Sequence, residues 1–288
     1  MSACLAAKYG FSVLAIDCDE AQTCRAKTRA DSDLFSGPRT SNVRGCLQHK
    51  TVRIDASHKS VRSLLDEDLP LDNDVGLCGL HACGDLSSLL CDMFARSPEA
   101  RFLVLAGCCY NLLSPGSFPL SHLVRDQTSL RLGSHSKMLA CQNSFQCWHD
   151  YSNASELCKR NFFRAILQVL IARRGGLPAN GEDVRVGRIA RHHDSFVGYA
   201  RAALLRLNIT CHDSELVEIY NEFSPQLPRL TAFCVLRLQL ASVIESLVAF
   251  DRFLFLVECG MHAKVLPLFN PLLSPRNLVI VANRANRP

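Results

Sequence analysis

The chain has 288 residues, of which 48% are apolar and 20% charged, enough to bury a full core, which excludes a disordered protein. Its formal charge of +5 permits a polyanionic partner but falls short of the strong basicity of a dedicated nucleic-acid binder. Fifteen cysteines, with no C-x-x-C pair and no signal-peptide pattern, read as reduced thiols of an intracellular protein and argue against a disulfide scaffold or a zinc finger.

In chain order, residues 3–8 read as the end of a helix, and Tyr9-Gly10 turns into a short strand at 11–16 closed by Asp17. Asp19 caps a helix running to Ala30, a Ser/Gly/Pro/Asn-rich loop covers 36–45, and a strand at 51–54 ends at Asp55-Ala56. A helix at 57–65 leads to the apolar run VGLCGLHACGD, residues 75–85. Asp85 caps the next helix, Ser97-Pro98 breaks it, and the second apolar run FLVLAGCCYN occupies 102–111. Both runs read as buried parallel strands with reactive side chains at their carboxyl ends. In an open α/β sheet such ends face one crevice, so His81, Cys83, Asp85, Cys108, Cys109, Tyr110 and Asn111 are expected around a single pocket.

Beyond Asn111 the strict alternation stops. Helical spacing of Leu157, Phe162, Phe163, Ile166, Leu167, Leu170 and Ile171 predicts an amphipathic helix over 155–173, and an Arg/Gly-rich loop covers 173–193. Further helices are predicted at 196–207 and 214–223. Pro228 opens a long one that ends near Glu258. Arg237, Glu245, Asp251 and Arg252 interrupt its apolar stretch, so it reads as a core helix with no membrane span. Two β runs, 264–269 and 277–282, close the chain across a turn-rich link. The sequons at Asn153 and Asn208 are given no role. The division expected is a partial Rossmann core at 1–115, a mainly helical insertion at 116–227, and a long helix plus terminal β pair at 228–288. A terminal antiparallel pair on an α/β Rossmann-like sheet matches class I S-adenosylmethionine-dependent methyltransferases by fold analogy. An NAD-dependent oxidoreductase is disfavoured by that pair and by the lack of G-x-G-x-x-G.

Four segments read together, KYGFSVLAID at 8–17, GLHACGDL at 79–86, GCCYNL at 107–112 and LSPRNLV at 273–279, resemble the methyltransferase-like protein 25 family. Its relatives include proteins named for an rRNA adenine dimethylase domain. The likeness covers nearly the whole chain, including the DRFLFL helix at 251–256, and a shorter echo of His-x-Cys-Gly and Cys-Cys is similar to tRNA ribose 2′-O-methyltransferases. The resemblance implies a class I methyltransferase fold that uses S-adenosyl-L-methionine. It also implies an opening strand and glycine-rich turn, which this sequence does not show before its first helix. Half of the cofactor cradle is therefore expected to be missing, along with the strand that would lie between those of Asp17 and Val75.

Asp17, ending the strand of the first β-α step, is expected to accept the ribose hydroxyls of a bound nucleoside, with Asp55 and Ala56 flanking the adenine and Leu80 and His81 touching the cofactor. His81, Asp85, Tyr110 and Asn111 are the candidate catalytic residues on the acceptor side, Asp85 doubling as a helix cap. The cysteines leave three readings: a nucleophile, which needs a low-pKa thiol; a zinc site of His81, Cys83, Cys108 and Cys109; or small buried hydrophobes. The last is preferred, with no metal. The exocyclic-amine motif of adenine methylation is replaced by His81-Ala-Cys-Gly, so the adenine dimethylase label is discounted. RNA is the expected acceptor, met through Arg173, Arg174, Arg185, Arg188, Arg191, His192 and His193. The competing reading is a catalytically inactive scaffold that binds a protein partner.

Overall fold

In the computed structural model the described residues are 1–31, 45–65, 74–142, 151–176, 189 and 193–284. They are helices α1 (Ser2–Tyr9), α2 (Glu20–Asp31), α3 (Leu86–Arg96), α4 (His122–Gln127), α5 (Ser134–Ala140), α6 (Tyr151–Arg173), α7 (Phe196–Arg206), α8 (Asp213–Phe223) and α9 (Leu227–Glu258), with strands β1 (Val13–Asp17), β2 (Leu47–Thr51), β3 (Val75–Cys83), β4 (Ala100–Cys108), β5 (Met261–Pro267) and β6 (Leu278–Arg284). The fold is mixed α/β, with an α-helix between β1 and β2 and another between β3 and β4. Two compact units divide it, residues 1–75 with 88–101, and 76–87 with 102–288.

In the first unit α1 ends where Gly10 takes the left-handed conformation and its N–H returns to Ala6 and Leu5 carbonyls. The chain then enters β1, which pairs in parallel with β2 from Val13↔Leu47 to Asp17↔Thr51. Between them α2 starts as predicted, because Asp19 Oδ1 accepts the amides of Ala21 and Gln22. Two expectations are corrected. The strand lies at Leu47–Thr51 rather than 51–54, and in place of a helix at 57–65 there is a 3₁₀ turn, Val61–Leu64. Asp55 explains the latter: its side chain binds the Ser57 amide and hydroxyl, making a turn that competes with a helix start.

The second unit is built on a four-stranded sheet of order β3-β4-β6-β5. The terminal β pair is present: β5 and β6 are antiparallel from Met261↔Arg284 to Pro267↔Leu278, and β6 returns antiparallel along β4. Among the described residues β1 pairs only with β2, in a ladder separate from the four-stranded sheet. β3 was expected to be buried on both faces, but its residues alternate, with Gly76, Cys78 and Leu80 exposed, as for a strand at the edge of a sheet.

Three helices, α6, α7 and α8, form their own apolar core from Phe162, Phe163, Ile166, Leu170, Tyr199 and Leu216 among others, the stripe that the helical spacing predicted. The long helix α9 differs from expectation. It buries Ala241, Val248, Phe255 and Leu256, yet Phe233, Leu236, Leu240, Val243, Phe250 and Val257 remain exposed. No helix among the described residues is long and apolar enough to cross a membrane.

Short α4 is held by side chains from far along the chain. Ser121 Oγ caps it by accepting from Val124, while Glu258 accepts from the Ser121 hydroxyl and from the His122 and Leu123 amides at 2.6, 2.8 and 2.9 Å. Burial raises the Glu258 carboxyl, but these donors outweigh it and hold the group below its ordinary value. The carboxylate's contribution is therefore full above the ordinary glutamate value and is lost as pH falls through the lowered one. Glu258→Gln is expected to lose about 1 kcal/mol at neutral pH, an exposed group being screened by solvent, and less once the pH falls below the lowered value. Urea midpoints at neutral pH and below that value check this; equal losses at both would contradict it.

Candidate active site at the ends of β3 and β4

The second unit brings the ends of β3 and β4 together as the sequence reading required. The Gly84 amide donates to the Cys108 carbonyl at 2.9 Å. Gly84 has φ +53°, and a Cβ there would stand 2.7 Å from Leu112 Cβ, so both conformation and space call for glycine. Cys109, at φ 48° and ψ 50°, adopts the same left-handed region without being glycine.

His81 and Cys83 lie two residues apart on β3 and so project from one face. Cys83 Sγ is 3.2 Å from His81 Nδ1 and 3.4 Å from Cys109 Sγ; Cys108 Sγ is 3.4 Å from Cys109 Sγ and 4.0 Å from His81 Nε2. Cys83, Cys108 and Cys109 are half-buried, and Cys83 and Cys108 lie beside the His81 ring. Burial, then the neighbouring Cys109 and Cys83 thiols, push the Cys108 thiol up to about 12. That argues against a thiolate nucleophile.

The other candidates separate. Asp85 is half-buried and accepts the Ser114 amide at 2.7 Å. Burial opposes its ionisation, but hydrogen bonds from Ser117 and Ser114 and the charge of Arg252 prevail, so the carboxyl lies below its ordinary value. This makes Asp85 an anchor for the 114–117 turn. Asn111 is exposed, its Oδ1 facing Cys141 Sγ at 3.3 Å, and Leu80 is 38% exposed on β3.

Tyr110, a candidate on the acceptor side, is enclosed. It is only 3% exposed, and the Arg276 guanidinium lies 5.5 Å above its ring. Its hydroxyl donates to Gly107 O and Glu245 Oε1 at 3.3 and 3.4 Å. Burial and then the Glu245 charge push the phenol far above its ordinary value. Arg276 donates to Glu245 at 2.6 Å, completing a network that sequence spacing could not reveal. A second unforeseen cluster is the fully buried pair Asp251–Arg252, at 2.7 Å. Asp251 also accepts the Leu120 and Ser121 amides, and Arg252 donates to Ser117 O at 2.8 Å.

In the first unit Asp17 ends β1 with an exposed carboxylate, oriented by the Asp19 amide on Oδ1 at 2.8 Å. A carboxylate has about four acceptor positions, so this one retains room for hydroxyl donors. Asp55 is four residues past β2 rather than at its end. Its Oδ1 takes the Ser57 hydroxyl at 2.5 Å and the Ser57 amide at 2.9 Å, with His58 Nδ1 at 3.1 Å. These contacts, Ser57's hydroxyl foremost, lower its carboxyl to about 2 and turn it toward its own loop. Ala56 sits in the turn this creates.

Arg173 pairs with Glu222 through two bonds of 2.6 and 2.7 Å, and Arg174 pairs with Glu215 and the Thr210 carbonyl. Arg185, Arg188, Arg191 and His192 lie outside the described residues.

A family model described as a methyltransferase domain matches residues 1–116, a span that ends just past the β4 cluster. The chain is 30% identical over 229 residues to the human (Homo sapiens) "Probable methyltransferase-like protein 25" and 28% over 228 residues to the mouse (Mus musculus) protein of the same name, in both cases over 73% of its own length. Over that stretch the chain is similar to the methyltransferase-like protein 25 family. The chain spans 37% of the length of these two family members. No solved structure matches it. Within the family's matched domain, the HACGD and GCCYN ends of β3 and β4 are the part whose side chains converge.

Proposed function

We propose that this chain takes part in methyl transfer from S-adenosyl-L-methionine to RNA. The observation that carries the reading is the exposed Asp17 carboxylate at the carboxyl end of a parallel strand inside the matched methyltransferase domain. When bound, S-adenosylmethionine supplies an electrophilic sulfonium methyl. Asp17 would hold the nucleoside through its ribose hydroxyls, and Ala56, presented by the Asp55 turn, would flank the adenine. In the second unit, Asn111 provides an exposed side chain near the strand ends, where an acceptor would be oriented. Asp85, tied to Ser114, fixes the turn beside them. The residues mainly position the acceptor for an in-line displacement, the largest service a protein gives to such a reaction. The mild positive charge supports an RNA acceptor; Arg173 and Arg174 do not, since their acidic partners already neutralise them.

Incubation with methyl-labelled S-adenosylmethionine and total RNA tests this. Label in a fraction that ribonuclease degrades is the expected result. Label confined to a protease-sensitive fraction, or no transfer at all, would overturn the RNA reading. The second reading, a scaffold for a protein partner, is favoured by the exposed apolar residues of α9 and predicts no transfer to either fraction.

A further inference from the structure

We propose that His81, Cys83, Cys108 and Cys109 form a binding site for a soft divalent metal ion, zinc first, that ties the end of β3 to the end of β4. The ligand atoms of His81, Cys83 and Cys108 all lie within 4.8 Å of one another. Cys109 stands outside that mutual set, but its sulfur is 3.4 Å from both Cys83 and Cys108 sulfurs, close enough to supply the fourth ligand. Tetrahedral zinc with bonds of about 2.0–2.3 Å places its ligand atoms roughly 3.3–3.8 Å apart. The successive separations from His81 Nδ1 to Cys83, Cys83 to Cys109 and Cys109 to Cys108, at 3.2, 3.4 and 3.4 Å, lie close to that spacing.

The backbone explains why the four side chains meet. Strand periodicity puts His81 and Cys83 on one face of β3, and the Gly84–Cys108 hydrogen bond aligns the two strand ends. The left-handed backbone of Cys109, uncommon outside glycine, turns its thiol back toward the other two. Thiolate and imidazole donors select zinc over magnesium or calcium, which take oxygen ligands. Four protein ligands leave no open coordination position, so the ion's role is structural: it fixes the two strand ends, and His81 serves as a ligand rather than a proton acceptor. Each ligating thiol releases its proton to solvent on binding.

The test begins with the reduced, metal-stripped chain. Cobalt(II) addition is expected to give the thiolate-to-cobalt charge-transfer band and the visible bands of a tetrahedral site, saturating at one ion per chain and abolished by zinc. Zinc is expected to raise the melting temperature. Cys83→Ser and Cys108→Ser should each weaken binding more than about 100-fold, beyond the loss usual for an outer-sphere change. Cys78→Ser, an exposed cysteine on the same strand, should leave it unchanged. His81→Asn provides a variant that removes no thiol, and circular dichroism of each variant establishes folding. Absence of the cobalt bands in the wild-type chain would overturn the proposal whatever the variants do. So would bands that persist in Cys83→Ser and Cys108→Ser, or a disulfide joining any two of Cys83, Cys108 and Cys109 in a non-reduced peptide map.

Discussion

Asp251→Ala is expected to destabilise the second unit by about 3–5 kcal/mol, because it strands a buried guanidinium without its counter-charge. Asp251 and Arg252 are each 1% exposed. The carboxylate gathers the Arg252 guanidinium and the amides of Leu120 and Ser121, while Arg252 holds the Ser117 carbonyl. Two adjacent residues of α9 thus clasp the segment that leads into α4. Burial raises the Asp251 carboxyl against the pull of Arg252 and the two amides. The double replacement Asp251→Leu with Arg252→Met should cost less than Asp251→Ala alone, since it removes both charges from the interior. Urea denaturation followed by circular dichroism measures all three chains. A loss below about 1 kcal/mol for the single variant would contradict the assignment of this pair as the clasp.

The second large effect concerns ligand binding. Asp17→Ala is expected to weaken S-adenosylhomocysteine binding by about 2–4 kcal/mol, roughly 30- to 1000-fold, the range for removing a charged acceptor that takes two hydroxyl donors. Stability should change little, because Asp17 is exposed and its carboxylate, which takes the Asp19 amide, closes only a local turn. Asp55→Ala separates a cofactor contact from a turn-builder. With Asp55 Oδ1 engaged by Ser57 and His58, the loss of affinity should be smaller than for Asp17→Ala. Equal losses would mean that Asp55 meets the nucleoside directly.

What the sequence disclosed follows from the range over which its signals act. Asp19 capping α2, Pro228 opening α9 and the apolar stripe of α6 are local, and each is found where the pattern put it. The β2 segment LQHKT is polar and half-exposed, so β propensity pointed instead to the more apolar residues just after it. Helices of six and seven residues, α4 and α5, are too short to show an amphipathic period, and α4 depends on Glu258 from the end of α9. Tyr110 looked like a site residue because it follows two cysteines at a strand end. Only the fold shows Glu245 and Arg276 enclosing it. The convergence of His81 with Cys83 and Cys108 has no paired spacing along the chain to announce it. It arises because neighbouring strands end side by side, a relation that spacing along the chain does not encode.

The central claim is that this chain, with its methyltransferase-domain match, handles a methyl donor, and calorimetric titration of S-adenosylhomocysteine into the chain tests it most directly. The account predicts saturable heat for one site, greatly reduced by Asp17→Ala. A flat titration with the folded wild-type chain would contradict it.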